Sequence, residues 1–596
     1  MTGRALLGLG LLWAGLLWLG LLGACTGGPA PDAGEDAPAT VALADGCMAC
    51  HLATQGPPGI HAAGGMGCAA CHLGDPAATE KEAAHRGLER EPGALDTVDQ
   101  TCGSASCHAA ESARVASSLM ATGAGLVAVD RQVLGEVPTP GQTLTQVRAA
   151  AAPTPAEDHL RRLCAGCHLG TRADNRDDAV VEGGSGCGAC HVAKRAGAWD
   201  PHPAIDSVPP DGRCLGCHSR SGRISLGTQG LSEALGAPCE DPVALFDGRS
   251  GCRGPADIHH QAGLSCVDCH LHTELMGDGT AWAHEEQAVE IRCESCHGPD
   301  PAGAPQATWA QVQDPISRIL VRQHGQTREP TEAVRLGSRG TPLWNLRPAG
   351  AGWALTPKAG GTPIDIRPTP ADATHQQPGH TRLSCSACHT LQAPTCPACH
   401  TRYEVQGEQW DFGRGALAPG RWIEEGSPFG MGSPALGIGV DGRIGPMVPG
   451  MILDVDATAA GGGTLSARRF AATAPHTTQR QGRSCESCHA RPEALGLGTG
   501  SLDLQALRFT PAVPDPSQAG RALDGWVGLQ PERPGEGTRP AQRSLDATEQ
   551  RRVLRMGLCL PCHEGTDAIY ADLDRAVARL RAGGSGCRFQ LPGWVR

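Results

Sequence analysis

The stretch from His259 to His297, HHQAGLSCVDCHLHTELMGDGTAWAHEEQAVEIRCESCH, decides how the rest of the chain is read. It holds two copies of Cys-x-x-Cys-His, at Cys266/Cys269/His270 and Cys293/Cys296/His297, with His259, His260, His272 and His284 around them. This spacing is that of covalent haem c attachment. Two thiols three residues apart sit about one helical turn apart and can each form a thioether to one haem vinyl group. The histidine that follows then reaches the iron as its proximal ligand, and an imidazole from elsewhere can close the opposite side.

The pattern recurs along the chain, and the sites are numbered here in chain order. Site one is Cys47/Cys50/His51, site two Cys68/Cys71/His72, site four Cys164/Cys167/His168, site five Cys187/Cys190/His191 and site six Cys214/Cys217/His218. Sites seven and eight are the two quoted above. Site nine is Cys385/Cys388/His389, site ten Cys396/Cys399/His400, site eleven Cys485/Cys488/His489 and site twelve Cys559/Cys562/His563. Site three, Cys102/Cys107/His108, has four residues between its cysteines and resembles attachment sites of small tetrahaem cytochromes. At this composition chance gives about 0.05 copies of the strict pattern, against eleven present. Zinc knuckles would need paired Cys-x-x-Cys units and do not explain a histidine after every second cysteine. Twelve copies of haem c are therefore expected.

Composition agrees with a chain held by cofactors. Aromatic residues make up only 3% of 596 residues, while 82 Gly and 47 Pro imply much irregular backbone. A haem is a large apolar body that takes the place of core side chains. The expected fold class is mainly α and irregular, packed around haems, with short β segments in the haem-free inserts. The net charge is −12, and three lysines (Lys81, Lys194, Lys358) stand among 50 basic residues without a basic run. Nucleic acid is therefore excluded as a partner.

Residues 1–24 read as a signal peptide, with Arg4 before an apolar run and small residues after it. Leu22-Gly23-Ala24-Cys25 resembles a bacterial lipobox, which makes Cys25 the expected lipidation site. Thr26 in place of Asp resembles outer-membrane sorting in enterobacteria. Residues 25–45, rich in Gly, Pro, Ala and Asp, form a flexible tether. The folded part is expected outside the cytoplasm, in the periplasm or at the outer membrane, held by its lipid.

The remaining divisions follow the motifs. Residues 46–299 carry sites one to eight, and 300–384 form a haem-free insert. Sites nine and ten crowd together in 385–400, residues 401–484 form a second insert, and 485–596 carry sites eleven and twelve. Residues 115–155 read as a helix-and-loop connector. Ala156 to Cys167, AEDHLRRLCAGC, puts Leu160, Leu163, Cys164 and Cys167 on one helical face, so site four should lie at a helix end. In the inserts, WALTPKAGGTPIDI reads as a hairpin, and Asp441-Gly442 marks a turn between Ile438 and Ile444. Ile569, Leu573, Val577 and Leu580 define a helix face that Gly583 and Gly584 should stop. Cys239 and Cys252 belong to no motif and are expected to pair, closing a loop that contributes about 3 kcal/mol. Cys587 is the odd cysteine; it could pair with either of them or stay a thiol.

Twelve histidines lie outside the motifs: His61, His85, His159, His202, His259, His260, His272, His284, His324, His375, His380 and His476. They equal the irons in number, and nine or ten are expected as distal ligands. The chain resembles the multihaem c-type cytochromes of respiratory chains, on its twelve attachment sites and the histidines between them. The resemblance implies closely spaced haems of low potential acting as an electron conduit. The expected function is transfer between a membrane quinol oxidase or periplasmic cytochromes and a terminal acceptor, with no catalytic residue. The alternative is a multihaem oxidoreductase of the nitrite, hydroxylamine or tetrathionate type, similar in haem packing but with one open or Lys-ligated iron. No Cys-x-x-Cys-Lys occurs here, which weighs against an enzyme.

Overall fold

The computed structural model describes residues 46–595 apart from 52–60, 62–65, 173–184, 193–203, 220–224, 234–238, 246–248, 299–304, 396–397, 427–429, 513–528, 530–532, 566, 584–586 and 588–589. The signal run, Cys25, His202, Cys396 and Gly584 therefore lie outside the described residues, and of Cys399 only the backbone is described. Among the described residues no helix is long and apolar enough to cross a membrane.

Most motifs fold as single helical turns. Cys68–His72, Cys187–His191, Cys293–His297, Cys385–His389 and Cys485–His489 are five-residue helices, and site six ends the helix Asp211–His218. Local sequence starts several of them. Ser384 and Ser484 accept hydrogen bonds from the amides of Ala387 and Ser487, and Ser265 and Asp268 cap each other's backbone before Cys266. A five-residue helix does not stand alone in water. What these turns pack against therefore matters more than their own propensity.

The connector is helical, as its pattern predicts, with helices Ala109–Ser117, Leu119–Thr122, Ala124–Val133 and Leu144–Ala149. Helix Pro155–His159 starts from a Thr154/Glu157 capping box and runs into a π-turn at Leu160–Cys164, so site four does sit at a helix end. Val127, Leu144, Val147, Leu160 and Ala165 form a small buried cluster there. The apolar core is divided into several such clusters, as a chain so poor in aromatic residues requires.

The largest sheet has six strands: β1 (Ala398–Asp411), β2 (Ala416–Gly426), β3 (Ala435–Ile438), β4 (Ile444–Asp456), β5 (Thr464–Ala472) and β6 (Arg543–Ser544). Their order is β2-β1-β4-β3-β6, with β5 also on β4. β1 and β4 are parallel and the other pairs antiparallel. β1 and β4 are 14 and 13 residues long, longer than the short segments expected of this insert. Alternation shows in their neighbour β2, where Ala418, Gly420 and Trp422 are buried while Leu417, Pro419 and Arg421 are exposed. Site ten is the exception to the helical turns. Its spacing predicts a turn running from Cys396 to His400, yet Cys399 and His400 belong to β1. Cys399 pairs with Gly426 of β2 on one side and Leu453 of β4 on the other. Pairing on both edges holds the backbone extended, and that ladder overrides the local preference of the motif.

Trp422 and Val455 pack on Leu134 and Ala156, which seats the connector on the sheet. The Asp441-Gly442 turn joins β3 to β4 with Ile438 opposite Ile444 and Gly442 at φ 74°. In the first insert, Gly352–Leu355 pairs with Ile364–Ile366, the hairpin read from sequence. Near the C-terminus Leu573–Arg581 is a helix that buries Val577 and ends before Gly583 at φ 80°. Cys239 and Cys252 form a disulfide within a three-stranded sheet.

Site four is fixed to the sheet by a buried ion pair. Arg161 donates from Nε and Nη2 to the two carboxylate oxygens of Asp411, each at 2.8 Å, at the end of β1. Both side chains are almost fully buried. Removing one partner strands the other charge. Asp411→Asn is therefore expected to cost about 3 kcal/mol or more, read as a lower thermal midpoint. Glu404→Gln, in the exposed pair with Arg421, should leave the midpoint unchanged.

Candidate functional site

Six motif histidines face a histidine from outside the motifs. The pairs are His51 with His85, His108 with His61, His270 with His476, His297 with His259, His389 with His375 and His489 with His380. Their ring centres are all 6.1 to 6.3 Å apart. Rings in packing contact lie nearer, as with His159 on Trp422 and His324 on Trp344, both 5.0 Å. A first-row metal ion binds an imidazole nitrogen at about 2 Å and the ring centre lies about 1 Å behind, so two trans imidazoles have centres about 6 Å apart. The six spacings fit an iron between each pair. Among the described residues no group of three or more His, Cys, Asp or Glu side chains converges as a metal site. Each pair would hold such an iron through two histidine nitrogens, and the motif's two cysteines would bind a haem covalently beside it.

Hydrogen bonds orient the rings. Nδ1 of His72, His191, His297, His389 and His489 meets the carbonyls of Glu89, Asp206, Arg367, Gln479 and Val553 at 2.7 to 3.0 Å. Nδ1 of His270 and His563 meets carboxylates instead, Glu274 at 2.6 Å and Asp567 at 3.1 Å. Among the facing imidazoles, His259 and His375 hold Asp257 and Asp372 in the same way, at 2.9 and 2.7 Å. A proton fixed on Nδ1 leaves the Nε2 lone pair for a metal. These four carboxylates escaped sequence reasoning. The signal was local, since each lies two to four residues from its histidine.

One segment serves three sites. His476 enters site seven with left-handed backbone, φ 53°, a conformation held only where surroundings enforce it. Burial lowers its pKa to about 4, so the ring is neutral at pH 7, the form that binds a metal. Two residues on, the Thr478 amide donates to Asp257, which orients His259 of site eight. The Gln479 carbonyl takes the Nδ1 proton of His389 in site nine.

The looser site three closes like the others. The His108 amide donates to the Cys102 carbonyl at 3.0 Å, as His51 does to Cys47, His270 to Cys266 and His563 to Cys559. Two sites depart from the pattern. At site four, His168 turns Nε2 to the Ala121 carbonyl at 2.6 Å. At site ten, Cys399 and His400 lie on the extended backbone of β1, and His400 stands 3.3 Å from Asp454. The helical geometry expected of Cys399 is thus corrected to a strand, and site ten is the one motif whose second cysteine is set by the sheet. Among the described residues no histidine ring faces His168, His191, His218, His400 or His563 as in the six pairs.

The other spare histidines are placed differently. Both nitrogens of His324 meet backbone carbonyls, of Leu320 and Lys358. His272 turns Nε2 to Asp314 at 3.2 Å. His159 is buried against Asp130 and Trp422. It lies on the sheet face of Trp422 and Glu424, opposite the face of His400. His284 stands at the start of helix Glu285–Ala288, and His260 lies beside His259 on helix Ile258–Gln261.

Cysteines of different motifs adjoin one another. Cys214 hydrogen-bonds Cys266, Cys217 bonds Cys167, and Cys293 bonds Cys385. Cys71 lies close enough to Cys107, Cys102 to Cys187, Cys190 to Cys214, Cys269 to Cys296 and Cys388 to Cys488 for their charges to interact. Tyr570 lies among Cys485, Cys559 and Cys562, and burial raises its pKa to about 12. Gly46 abuts Pro76, so site one borders site two. The sites thus form a series one-two-three-five-six-seven-eight-nine-eleven-twelve, with site four branching from six. Cys587 lies near Cys559 of site twelve.

The chain matches no family model, no curated protein and no solved structure. Its residues alone carry the reading.

The pairs separate ligand from bystander. In the holoprotein, His476→Ala is expected to turn one ferric iron high-spin, seen by low-temperature electron paramagnetic resonance. His324→Ala should leave the spin state of every iron unchanged. The reverse result would break the assignment.

Proposed function

We propose that the chain is a lipid-anchored, extracytoplasmic electron-transfer protein of the multihaem c-type cytochrome kind. It would carry haem c at its motif sites and exchange electrons with other redox proteins. The observation that carries this reading is the adjacency of motif cysteines from site two to site eleven, continued to site twelve through Tyr570, with imidazole pairs set along it. Bound haem supplies a one-electron iron couple at each site. The protein's part is to fix the order of the sites and to hold Nδ1 of nine rings on an acceptor. Cys50 and Cys562 at the two ends are exposed, as are Cys107, Cys293 and Cys485 of sites three, eight and eleven, so partners could reach the series at its ends and along its length. A lipid on Cys25 would hold site one nearest the membrane, facing a quinol oxidase or a periplasmic cytochrome. The C-terminal end would then meet the terminal acceptor.

A second reading is a multihaem oxidoreductase with one open iron, and one observation favours it. His191 and His563 each have the Nδ1 bond of a proximal ligand, yet no described histidine ring faces either. The two readings part in one experiment on the reduced holoprotein. A conduit exchanges electrons with chemically unrelated acceptors without saturating, and carbon monoxide barely perturbs its spectrum. Rapid, saturable turnover of nitrite, hydroxylamine or tetrathionate would establish the enzyme instead.

A further inference from the structure

The first insert carries no motif, yet it reaches the middle of the series. Arg335 is 1% exposed. It donates to the carbonyls of Cys296 at 3.0 Å and Ser295 at 3.3 Å from Nη1, and to Gly298 at 3.0 Å from Nη2. Its guanidinium lies over the Trp353 ring, 4.7 Å from the centroid. Lys358 is 8% exposed, and its Nζ donates to the Val267 carbonyl at 2.6 Å, inside the turn Cys266–Cys269. Both cations act on the Cys296 sulfur, and Lys358 also acts on Cys269.

We infer that this insert sets a step in reduction potential between sites seven and eight, with site eight the higher, by holding Arg335 against it. The inference rests on the proposed haem at these sites. A fixed positive charge in a poorly polarisable interior disfavours Fe(III) against Fe(II) and so raises the potential. A guanidinium is the side-chain cation suited to such a fixed charge. Lys358 is shared between the two sites, acting on His270 and Cys269 of site seven and on Cys296 of site eight, so the difference rests on Arg335 and on the carboxylates of site seven. Glu274 holds Nδ1 of His270, and Asp268 bears on Cys269 more strongly than Lys358 does. Site eight has negative neighbours too. Asp257 holds His259, and Glu294 stands beside Cys293, but Glu294 is 41% exposed and 3.6 Å from Arg443. Asp268 has its oxygens engaged by Ser265, Asn345 and the Lys358 amide. His297 itself meets only a carbonyl.

A plainer role for Arg335 is to satisfy carbonyls at the end of the short helix Cys293–His297. That role affects stability and leaves the potential alone, so the potential is the readout. The step favours electron flow from site seven towards site eight and the C-terminal end.

The test is a potentiometric titration of the holoprotein followed by electron paramagnetic resonance. The low-spin signal lost in His259→Ala marks site eight, and the one lost in His476→Ala marks site seven. In the wild type, the site-eight signal should titrate with an equilibrium constant for reduction at least tenfold the greater, which is 59 mV for one electron. Arg335→Gln should lower the site-eight constant by tenfold or more and leave the site-seven constant unchanged. Equal midpoints in the wild type overturn the inference, whether or not the variant accumulates. So does an Arg335→Gln protein whose site-eight midpoint does not move. Intact mass of the same samples keeps the two readings apart, because missing haem at these sites defeats the proposed function and not the step.

Discussion

Paired imidazoles about one iron's width apart are the constraint on which the rest of this structure depends. In each pair a motif turn of a few residues meets a histidine from another segment, so an iron between them would tie the two together. The chain has little else to do this work. Its apolar clusters are small and separate, and a five-residue helix has no stability of its own. The segment 476–479 shows how far one tie extends. It supplies a ring to site seven, a donor to the aspartate of site eight and an acceptor to the histidine of site nine. A strain there would reach three neighbouring sites together.

The two inserts take different parts in this arrangement. The second builds the sheet, whose one face receives the connector and site four through Trp422, Val455 and the Arg161–Asp411 pair. The first folds onto sites seven and eight and brings buried charge to them. Helix Ala547–Gly557 makes a similar contact at site eleven. It presents the Val553 carbonyl to His489, and its last residue, Gly557, lies so close to the His489 carbonyl that a Cβ would collide with it. Scaffold segments thus finish the environment of sites whose ligands lie elsewhere.

Much of this was legible in the sequence, for physical reasons that can be named. Cys-x-x-Cys-His carries its own geometry, so the turns at sites two, five, eight, nine and eleven follow from spacing, with serine caps at sites nine and eleven. The Asp441-Gly442 turn, the hairpin at 352–366 and the Cys239–Cys252 bridge were equally local. Long-range choices were not legible. Nothing near His476 in the sequence says that it faces His270, and equal numbers of irons and spare histidines hid the placement of His324 and His272 on carbonyl and carboxylate acceptors. The length of β1 and β4 also escaped. Site ten overprints the start of β1, so the spacing around Cys399 reads as a helical turn, while its strand partners Gly426 and Leu453 lie far along the chain.

The central claim is that the motif cysteines hold haem covalently, site three included. Intact mass of the mature protein, with haem-bearing peptides mapped after proteolysis, measures this directly. Twelve haems, one of them on the peptide carrying Cys102 and Cys107, is the predicted result; fewer than ten would contradict it.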